Sequence, residues 1–305
     1  MPSNQNPLGA LPARFRRQRV LIVGCGDVGM RVAAAIRDRV HLMALTSTGD
    51  RFDALRDLGV RVLRGDLDRP SSLRRLAGLA DRVIHLAPPA PEAWTDTRTR
   101  ALVTALRRRT APLALVYGST SGVYGDCAGA RVTETRVLRA DTPRARRRAD
   151  AERWIRFFGR GAGVRASILR IPGIYAPDRV GGTPQKRLKA GTPVLRSEDD
   201  VYTNHIHADD LARACILAMW RARPQRIYNT CDDTCLKMGD YFDLAADLYG
   251  LPRPPRLARA AAAAALPLGL LSFMGESRRL DNTRLKRELK LALLYPTVTQ
   301  GLRSS

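Results

Sequence analysis

The sequence predicts an α/β protein with a doubly wound parallel sheet and a small, mostly helical C-terminal part. Three observations carry this prediction. Short apolar runs rich in β-branched residues alternate with helical stretches about every 20 residues, the first run ends in a glycine-rich turn, and the alternation breaks up after residue 177. Such alternation is typical of βαβ units, whose helices cover both faces of a parallel sheet. The 305 residues suffice for one large domain, or for one domain and a smaller one.

The predicted elements follow in order from residue 19. Buried strands are expected where short apolar runs occur, at 19–24, 40–45, 60–63, 82–87, 113–117 and 164–171. Helices are expected where apolar residues recur at helical spacing, at 27–38, 51–58, 70–79, 93–109 and 145–158. The chain then continues with helices at 185–190 and 209–220, a strand at 227–229 and a mostly helical segment at 231–305.

The charge of the chain is unusual. Lys and Arg number 52 against 29 Asp and Glu, a formal net charge of +23, and only five of the basic residues are lysines. The arginines are spread along the whole chain, as a GC-rich coding sequence would spread them, and aromatic residues are only 6%. We find no groove-reading motif and therefore predict no specific nucleic-acid partner.

The five cysteines predict a reducing compartment. Their number is odd and their spacing irregular, unlike a disulfide framework, and the N-terminal residues lack the apolar core of a secretory signal, so we expect a cytoplasmic protein. Cys231 and Cys235 have no second Cys or His pair nearby, so no metal site is predicted. The weakly polar run at 260–274 is shorter than a membrane span, and no membrane partner is expected.

The glycine-rich turn matches the pattern G-x-G-x-x-G between a buried strand and a helix. In this context Gly24 allows a tight turn, Gly26 allows the backbone to approach a pyrophosphate, and Gly29 allows the helix to pack closely on the strand. The helix N-terminus adds free N–H groups and a positive partial charge. The motif predicts a Rossmann-type dinucleotide site formed by Gly24, Cys25, Gly26, Asp27, Val28 and Gly29.

The end of the second predicted strand bears on the choice of cofactor. An acidic residue there would bind the ribose hydroxyls of NAD. Thr46 and Ser47 occupy the position instead, and Arg51 follows. Small hydroxyl groups beside a guanidinium accept a 2′-phosphate, so these residues favour NADP over NAD.

The next two strands end in residues that we expect to face the cofactor, because the carboxyl ends of parallel strands line the dinucleotide crevice. The third strand is followed by Asp66 and Leu67, which are predicted to lie by the adenine. The fourth is followed by Ala87 and Pro88, which are predicted to lie towards the nicotinamide.

Several later motifs appear in a familiar order. They are Gly-Asp-Leu at 65–67, Leu-Ala-Pro-Pro at 86–89, Tyr-Gly-Ser-Thr-Ser-Gly-Val-Tyr-Gly at 117–125, Pro-Gly-Ile-Tyr-Ala-Pro at 172–177 and His-Ile-His-Ala-Asp-Asp-Leu-Ala at 205–212. Over about residues 19–303 the chain resembles extended or atypical short-chain dehydrogenase/reductases, the NAD-dependent epimerase/dehydratase group. The resemblance implies bound NAD or NADP, with Pro172 added to the cofactor-binding residues.

The pattern along the chain also predicts a domain organisation. After a basic, flexible leader at 1–18, an NAD(P)-binding Rossmann domain is expected at 19–177, and the chain returns to it at 205–230. The segments 178–204 and 231–305 are expected to form a smaller domain on the substrate side. A homodimer is the expected assembly.

The family's catalytic positions differ in this chain. The family uses a Ser or Thr after the fifth strand to hydrogen-bond the substrate oxygen, which implies Thr120 here, with Ser119 and Ser121 as alternatives. Its Tyr-x-x-x-Lys pair falls on Arg144 and Arg148. A guanidinium stays protonated near neutral pH and cannot act as a base. Arg144 is therefore expected to bind an anionic group of the substrate, and Arg148 to hold the ribose. The alternative for both residues is a solvated basic helix face.

The proton must then come from another group, and the sequence offers several. The candidates are Tyr124, Tyr175, Tyr202, His85 and His207, and the alternative for His207 is a structural hydrogen bond near a helix start. We expect an NAD(P)-dependent oxidoreductase or epimerase acting on a small, polar and anionic substrate. A catalytically inactive dinucleotide-binding protein or redox sensor is the alternative, favoured by the replaced pair.

Overall fold

The computed structural model describes residues 17–92 and 94–303, and its centre is a seven-stranded sheet. The strands are β1 (Arg19–Val23), β2 (His41–Thr46), β3 (Arg61–Arg64), β4 (Arg82–His85), β5 (Ala114–Thr120), β6 (Arg165–Ile171) and β7 (Arg226–Asn229). They lie in the order β7-β6-β5-β4-β1-β2-β3, and every pair is parallel. The order reverses between β1 and β4, which is where a doubly wound sheet opens a crevice at its carboxyl edge.

Helices cover both faces of this sheet, and further helices pack in a separate core. They are α1 (Asp27–Ile36), α2 (Phe52–Asp57), α3 (Thr97–Leu106), α4 (Pro143–Gly161), α5 (Gln185–Lys189), α6 (Ala208–Arg221), α7 (Met238–Tyr249), α8 (Arg259–Ala265), α9 (Leu268–Met274), α10 (Thr283–Leu289) and α11 (Val298–Arg303). Along β1, Val20 and Ile22 pack in the core shared with α1 and α6, whereas Leu21 and Val23 pack in the core shared with α3 and α4. Because both faces are covered, the strand is apolar throughout rather than alternating. The predicted fold class is confirmed.

Two predicted boundaries shift for identifiable reasons. Helix α3 begins at Thr97 rather than at 93, because the Asp96 carboxylate accepts hydrogen bonds from the backbone N–H groups of Arg98 (3.0 Å) and Thr99 (3.2 Å) and so caps the helix. Strand β5 runs on past 117 to Thr120 because it stays paired with β6. The segment Pro70–Leu76 is a 3-10 helix rather than an α-helix.

Outside the central sheet the chain forms short strands and a third apolar core. The short strands pair as Arg131–Val132 with Arg279–Leu280, Gly173–Tyr175 with His205–His207, Val194–Leu195 with Arg256–Leu257, and Tyr202–Thr203 with Leu236–Lys237. Residues of the expected smaller domain, among them Leu188, Val194 and Phe242, pack in the third core. Helix α10, expected in the same domain, instead buries Leu285 and Leu289 in a core of the sheet.

Two further expectations concern the ends of the chain and the membrane. The leader predicted at 1–18 lies, except for its last two residues, outside the described residues. Across 17–92 and 94–303, no helix has both the length and the apolar character needed to cross a lipid bilayer. The division into two domains stays a prediction.

Candidate functional site

A crevice of about 340 Å³ lies at the carboxyl ends of β1, β2, β3 and β4. It brings together nine of the residues predicted to bind a dinucleotide. These are Gly24, Cys25, Gly26, Thr46, Ser47, Asp66, Leu67, Ala87 and Pro88. They come from four separate strand ends, and the parallel sheet gathers them at one edge. The other predicted residues lie outside its lining, three of them (Asp27, Val28 and Gly29) in the first turn of α1 and one (Pro172) in a second cavity.

The glycines of the turn have different steric surroundings. Gly24 has φ +87°, and a Cβ there would lie 2.4 Å from the backbone nitrogen of Ala87. A Cβ on Gly29 would lie 3.1 Å from the Gly24 carbonyl oxygen, which agrees with close packing of helix on strand. A Cβ on Gly26, by contrast, meets no atom of the described residues within 4 Å and points into open space. The missing side chain at Gly26 therefore leaves space for a ligand, whereas the missing side chains at Gly24 and Gly29 allow other parts of the backbone to approach closely.

The first turn of α1 offers backbone donors to that open space. Gly26 precedes the helix, and within the described chain no side chain caps its first N–H groups. Asp27 does not face the crevice with a free carboxylate, because its Oδ2 lies 3.4 Å from Nε of Arg31 and 3.4 Å from Nε of Arg179. Val28 is buried. The uncapped N–H groups fit a pyrophosphate, as helix N-termini do in dinucleotide sites.

Polar side chains border the rest of the crevice. The Thr46 hydroxyl donates to the Thr48 carbonyl (3.1 Å), and Arg51 lies beside both. Arg98, which the sequence did not single out, also lines the crevice, where Nη1 donates to the Pro88 carbonyl (3.1 Å). Arg98 lies on α3 in the middle of the chain, so no local pattern connects it with the glycine turn.

A second cavity of about 510 Å³ opens beyond the end of β5. It contains Thr120, Ser121, Arg144 and Pro172 of the predicted residues. The Thr120 hydroxyl oxygen accepts a hydrogen bond from the Gly122 N–H (3.2 Å), which leaves its proton for another acceptor. Ser119 is not available to a substrate, because its buried hydroxyl donates to Glu152 (2.7 Å). Thr120 and Ser121 are therefore the hydroxyl groups that this strand end presents to the cavity.

Four guanidinium groups line the second cavity, and only Arg144 of them was predicted. The others are Arg179, Arg187 and Arg278. Arg187 lies over the Phe242 ring (4.3 Å), and its Nε and Nη2 are buried with no hydrogen-bond partner in the described chain. Burial lowers the pKa of Arg187 from its ordinary value. A buried guanidinium without a partner is costly, and an anionic group in the cavity would satisfy it.

Arg148, at the family's lysine position, lines neither cavity. Its Nη1 donates to the Gly118 carbonyl (2.6 Å) and to the Tyr117 hydroxyl (3.1 Å), which holds the side chain against β5. The guanidinium is thus partly engaged by the protein rather than solvated. Its predicted contact with the ribose stays a prediction.

Three of the five candidate proton donors line neither cavity. The Tyr124 hydroxyl donates to Asn229 (2.7 Å), and burial raises the pKa of Tyr124 to about 12. His85 is fully buried inside the sheet, where burial lowers its pKa to about 3. His207 accepts a hydrogen bond from the Asp209 N–H (3.2 Å) and caps α6, which is a structural role at a helix start.

Tyr175 and Tyr202 do line the second cavity. The Tyr175 hydroxyl, however, donates to the Thr297 carbonyl (3.3 Å) and packs so closely on α11 that a Cβ on Gly301 would lie 2.4 Å from it. Only the ring of Tyr175 is therefore left to face the cavity. Glu276, which the sequence did not single out, is a further titratable group of the lining.

Comparisons with known proteins agree with this geometry. A family model described as NAD dependent epimerase/dehydratase family matches residues 20–231. Two curated dTDP-glucose 4,6-dehydratases from Mycobacterium tuberculosis strains are 30% identical over 182 residues, which are 52% of this chain and 54% of theirs. The chain thus matches about half the length of these curated relatives.

Solved structures show the same fold. A functionally unknown conserved protein from Silicibacter pomeroyi is 28% identical with a TM-score of 0.79, covering 94% of this chain and 97% of that one. UDP-glucose 4-epimerase from Thermotoga maritima, solved with UDP-glucose, is 17% identical with a TM-score of 0.78, covering 93% and 96%. The same enzyme from Thermus thermophilus, solved with NAD, is 20% identical with a TM-score of 0.73, covering 93% and 96%. With the family model matching more than half of its residues, the chain belongs to the NAD-dependent epimerase/dehydratase family.

Proposed function

We propose that this protein is an NAD-dependent enzyme that transfers a hydride to and from an anionic substrate of the sugar-nucleotide class. The observation that carries the proposal is the placement of two cavities at the carboxyl edge of one sheet. One has the glycine turn and uncapped helix N-terminus that suit a dinucleotide, and the other has Thr120 and a group of guanidinium side chains.

The cofactor that we propose is NAD. The preference for NADP rested on Thr46, Ser47 and Arg51 alone, and the comparisons give it no support, because NAD is the cofactor named for the solved relatives. Gly24, Gly26 and the first turn of α1 would hold the pyrophosphate, and the ends of β2 and β3 the adenosine. When bound, NAD supplies the acceptor for a hydride.

The anionic class of the substrate follows from the unpaired charge in the second cavity. Arg187 has buried nitrogen atoms without partners, and Arg144 and Arg179 lie in the same lining. Guanidinium groups bind phosphate oxygens through paired N–H donors. A diphosphate is the common part of the dTDP- and UDP-sugars for which the relatives are named. In this arrangement Thr120 would donate its hydroxyl proton to the oxygen at the reacting carbon.

A non-catalytic dinucleotide-binding protein or redox sensor is the second candidate. The observation in its favour is the pair Arg144 and Arg148 at the positions where the family carries tyrosine and lysine. Neither guanidinium can exchange a proton near neutral pH. This candidate predicts tight NAD or NADH binding with no turnover of any sugar nucleotide.

Calorimetry with NAD and NADP, followed by UDP-glucose and dTDP-glucose on the NAD complex, tests the proposal. We expect NAD to bind more tightly than NADP, and Arg187→Gln to weaken at least one sugar nucleotide about tenfold or more. Arg56→Gln is the matched control, because Arg56 is exposed on α2 and pairs only with Asp53 (3.4 Å) in the described chain. Sugar-nucleotide affinity unchanged by Arg187→Gln would contradict the proposed substrate class.

Three broader expectations belong to the same proposal. The Rossmann domain at 19–177, with its return at 205–230, is proposed as the NAD-binding unit, and limited proteolysis with and without NAD tests that division. A homodimer is tested by light scattering after size-exclusion chromatography. The cysteines of the described chain are all free, which supports a cytoplasmic location.

A further inference from the structure

The replaced tyrosine and lysine leave open which group moves the proton of the substrate. We infer that Glu276 accepts and returns this proton at the second cavity. The inference rests on the proposed function, because it needs a substrate alcohol or ketone beside Thr120. It assigns a catalytic role to a residue outside the family's catalytic positions.

Glu276 is placed at the cavity by the segment that follows α9. Among the described residues that line the cavity, it is the only carboxylate. Its Oε2 lies 4.0 Å from the point that a Cβ on Gly122 would occupy, and the Thr120 hydroxyl oxygen lies 3.6 Å from the same point. A carboxylate and the predicted substrate-binding hydroxyl thus flank one small volume at the end of β5. Because Gly122 has no side chain, that volume is open to a substrate oxygen.

Arg278 orients the carboxylate. Its Nη1 donates to Glu276 Oε2 (2.7 Å) and to the Gly125 carbonyl (2.7 Å), so the ion pair is tied to the loop that follows β5. The second oxygen, Oε1, has no hydrogen-bond partner in the described chain and remains able to accept a proton. An anchored carboxylate with one free oxygen is the usual arrangement of a general base.

Other charged and titratable groups surround Glu276. Arg144 on α4 lies near enough to interact electrostatically with it and also lies over the Phe273 ring (5.9 Å). The backbone N–H of the next residue, Ser277, donates to Asp126 (2.8 Å), and the Ser277 hydroxyl accepts from the Tyr202 N–H (3.0 Å). The charged groups next to the Glu276 carboxylate on its own segment and on α4 are therefore guanidiniums.

The step balances without any further reactant. The O–H bond of a substrate alcohol breaks, and its proton forms a bond to the Glu276 carboxylate, which becomes a carboxylic acid. Bound NAD would accept the hydride of the same carbon, so that the alcohol would be oxidised to a ketone and NAD reduced to NADH. In the reverse direction, the protonated Glu276 returns its proton to the ketone oxygen as the hydride returns to carbon.

Tyr202 is the competing group, because it is the one of the five proton donors suggested by the sequence that both lines the cavity and has a hydroxyl without a hydrogen-bond partner within the described chain. Tyr202 lies beside Arg279 (5.1 Å from Cζ to the ring centre). The test therefore compares Glu276→Gln with Tyr202→Phe. Both changes remove a proton-transferring group and keep the shape of the side chain.

The experiment measures the conversion of UDP-glucose and dTDP-glucose by chromatography of the sugar nucleotides, because a hydride that returns to the substrate leaves no net NADH. Calorimetry of NAD and of each probe is run in parallel. We expect Glu276→Gln to lower kcat by about 100-fold or more, because general acid–base catalysis usually contributes a rate enhancement of about this size. The affinities for NAD and for each probe should stay within about twofold of those of the parent protein. The parent kcat should fall as the pH is lowered and the carboxylate is protonated, and this acid limb should be missing in Glu276→Gln.

Arg278→Met separates a structural role from the proposed one. It breaks the same ion pair but keeps the carboxylate, so we expect a smaller fall in kcat than in Glu276→Gln and an acid limb that persists. Equal losses in both variants, with a raised KM and a lowered Tm, would mean that Glu276 only positions Arg278 and would overturn the inference.

Two other outcomes would also overturn the inference. A parent-like kcat in Glu276→Gln with a large loss in Tyr202→Phe would assign the proton to Tyr202 and overturn the inference while leaving the proposed function intact. A parent protein that binds NAD and both sugar nucleotides but converts neither sugar nucleotide would overturn the proposed function, and the role of Glu276 with it.

Discussion

A substitution at Gly26 should change ligand binding without changing the stability of the folded protein. A Cβ at this position meets no atom of the described chain within 4 Å, and the backbone (φ −73°, ψ −159°) is open to any residue. Gly26→Val should therefore leave the free energy of unfolding of the unliganded protein nearly unchanged. The same side chain should project into the space beside the uncapped N–H groups of α1, where the pyrophosphate of NAD is expected.

The size of the effect can be worked out in advance. NAD at 100 times its dissociation constant should add about 2.7 kcal/mol to the stability of the parent protein. For a chain of 305 residues, that corresponds to a rise in Tm of roughly 4 °C. If the valine excludes the pyrophosphate, the affinity should fall about 100-fold or more, and the rise in Tm should almost vanish.

Thermal unfolding with and without NAD is the assay, supported by calorimetry. Gly269→Val on α9 is the matched control, because a Cβ there also meets no described atom within 4 Å and the position lies outside both cavity linings. Gly24→Ala is a contrasting variant, which should lower the Tm even without NAD, since its Cβ would lie 2.4 Å from the Ala87 nitrogen. A folded Gly26→Val protein with parent-like NAD affinity would refute the reasoning.

Three further predictions test other features. Burial raises the pKa of Asp232 to about 7, so the stability contributed by its protonated form is complete below about pH 4 and is lost as the pH rises through about 7. In denaturant titrations, the unfolding free energy of the parent minus that of Asp232→Asn should fall by on the order of 4 kcal/mol between pH 4 and 8. A difference that does not change with pH would contradict this. Arg170→Met should destabilise the protein by about 3–5 kcal/mol, because it leaves Glu152 buried without its ion-pair partner (2.7 Å). Arg253→Met, at the exposed ion pair with Asp247, should hardly change the Tm. Equal Tm values for the two variants would refute the argument from the buried ion pair. Duplex DNA should bind weakly, without sequence preference and with a steep dependence on salt, as a diffuse positive charge predicts, and a salt-resistant, sequence-selective gel shift would show otherwise.

The regular elements of the sheet were predictable because their causes are local. The apolar run at β1 and the glycine turn after it specify a buried strand, a tight turn and a helix start within a dozen residues. Helix boundaries were less predictable where a cap decided them. The start of α3 depends on the Asp96 carboxylate, and the start of α6 on the His207 ring, and composition alone ranks such caps poorly.

The residues of the candidate site also divide into those that the sequence predicted and those that it did not. The crevice residues Gly24, Gly26, Thr46, Asp66 and Ala87 each follow a strand in the sequence, and a parallel sheet brings the carboxyl ends of its strands to one edge. The order of the motifs was therefore enough to group them. Thr120 and Arg144 were likewise found by their places in the motif order and lie together at the second cavity.

Only the tertiary structure decided which charged side chains line the second cavity. Arg187 and Glu276 come from segments without a periodic pattern, and their arrival beside Thr120 depends on how the loops after β6 pack on the sheet. The direction taken by Arg148, towards the Gly118 carbonyl, is likewise a matter of side-chain packing. The sequence by itself determined the sheet and the glycine turn, because these follow from local periodicity and residue chemistry. The guanidinium groups and the carboxylate of the second cavity were brought together by contacts between distant parts of the chain, which no local pattern encodes.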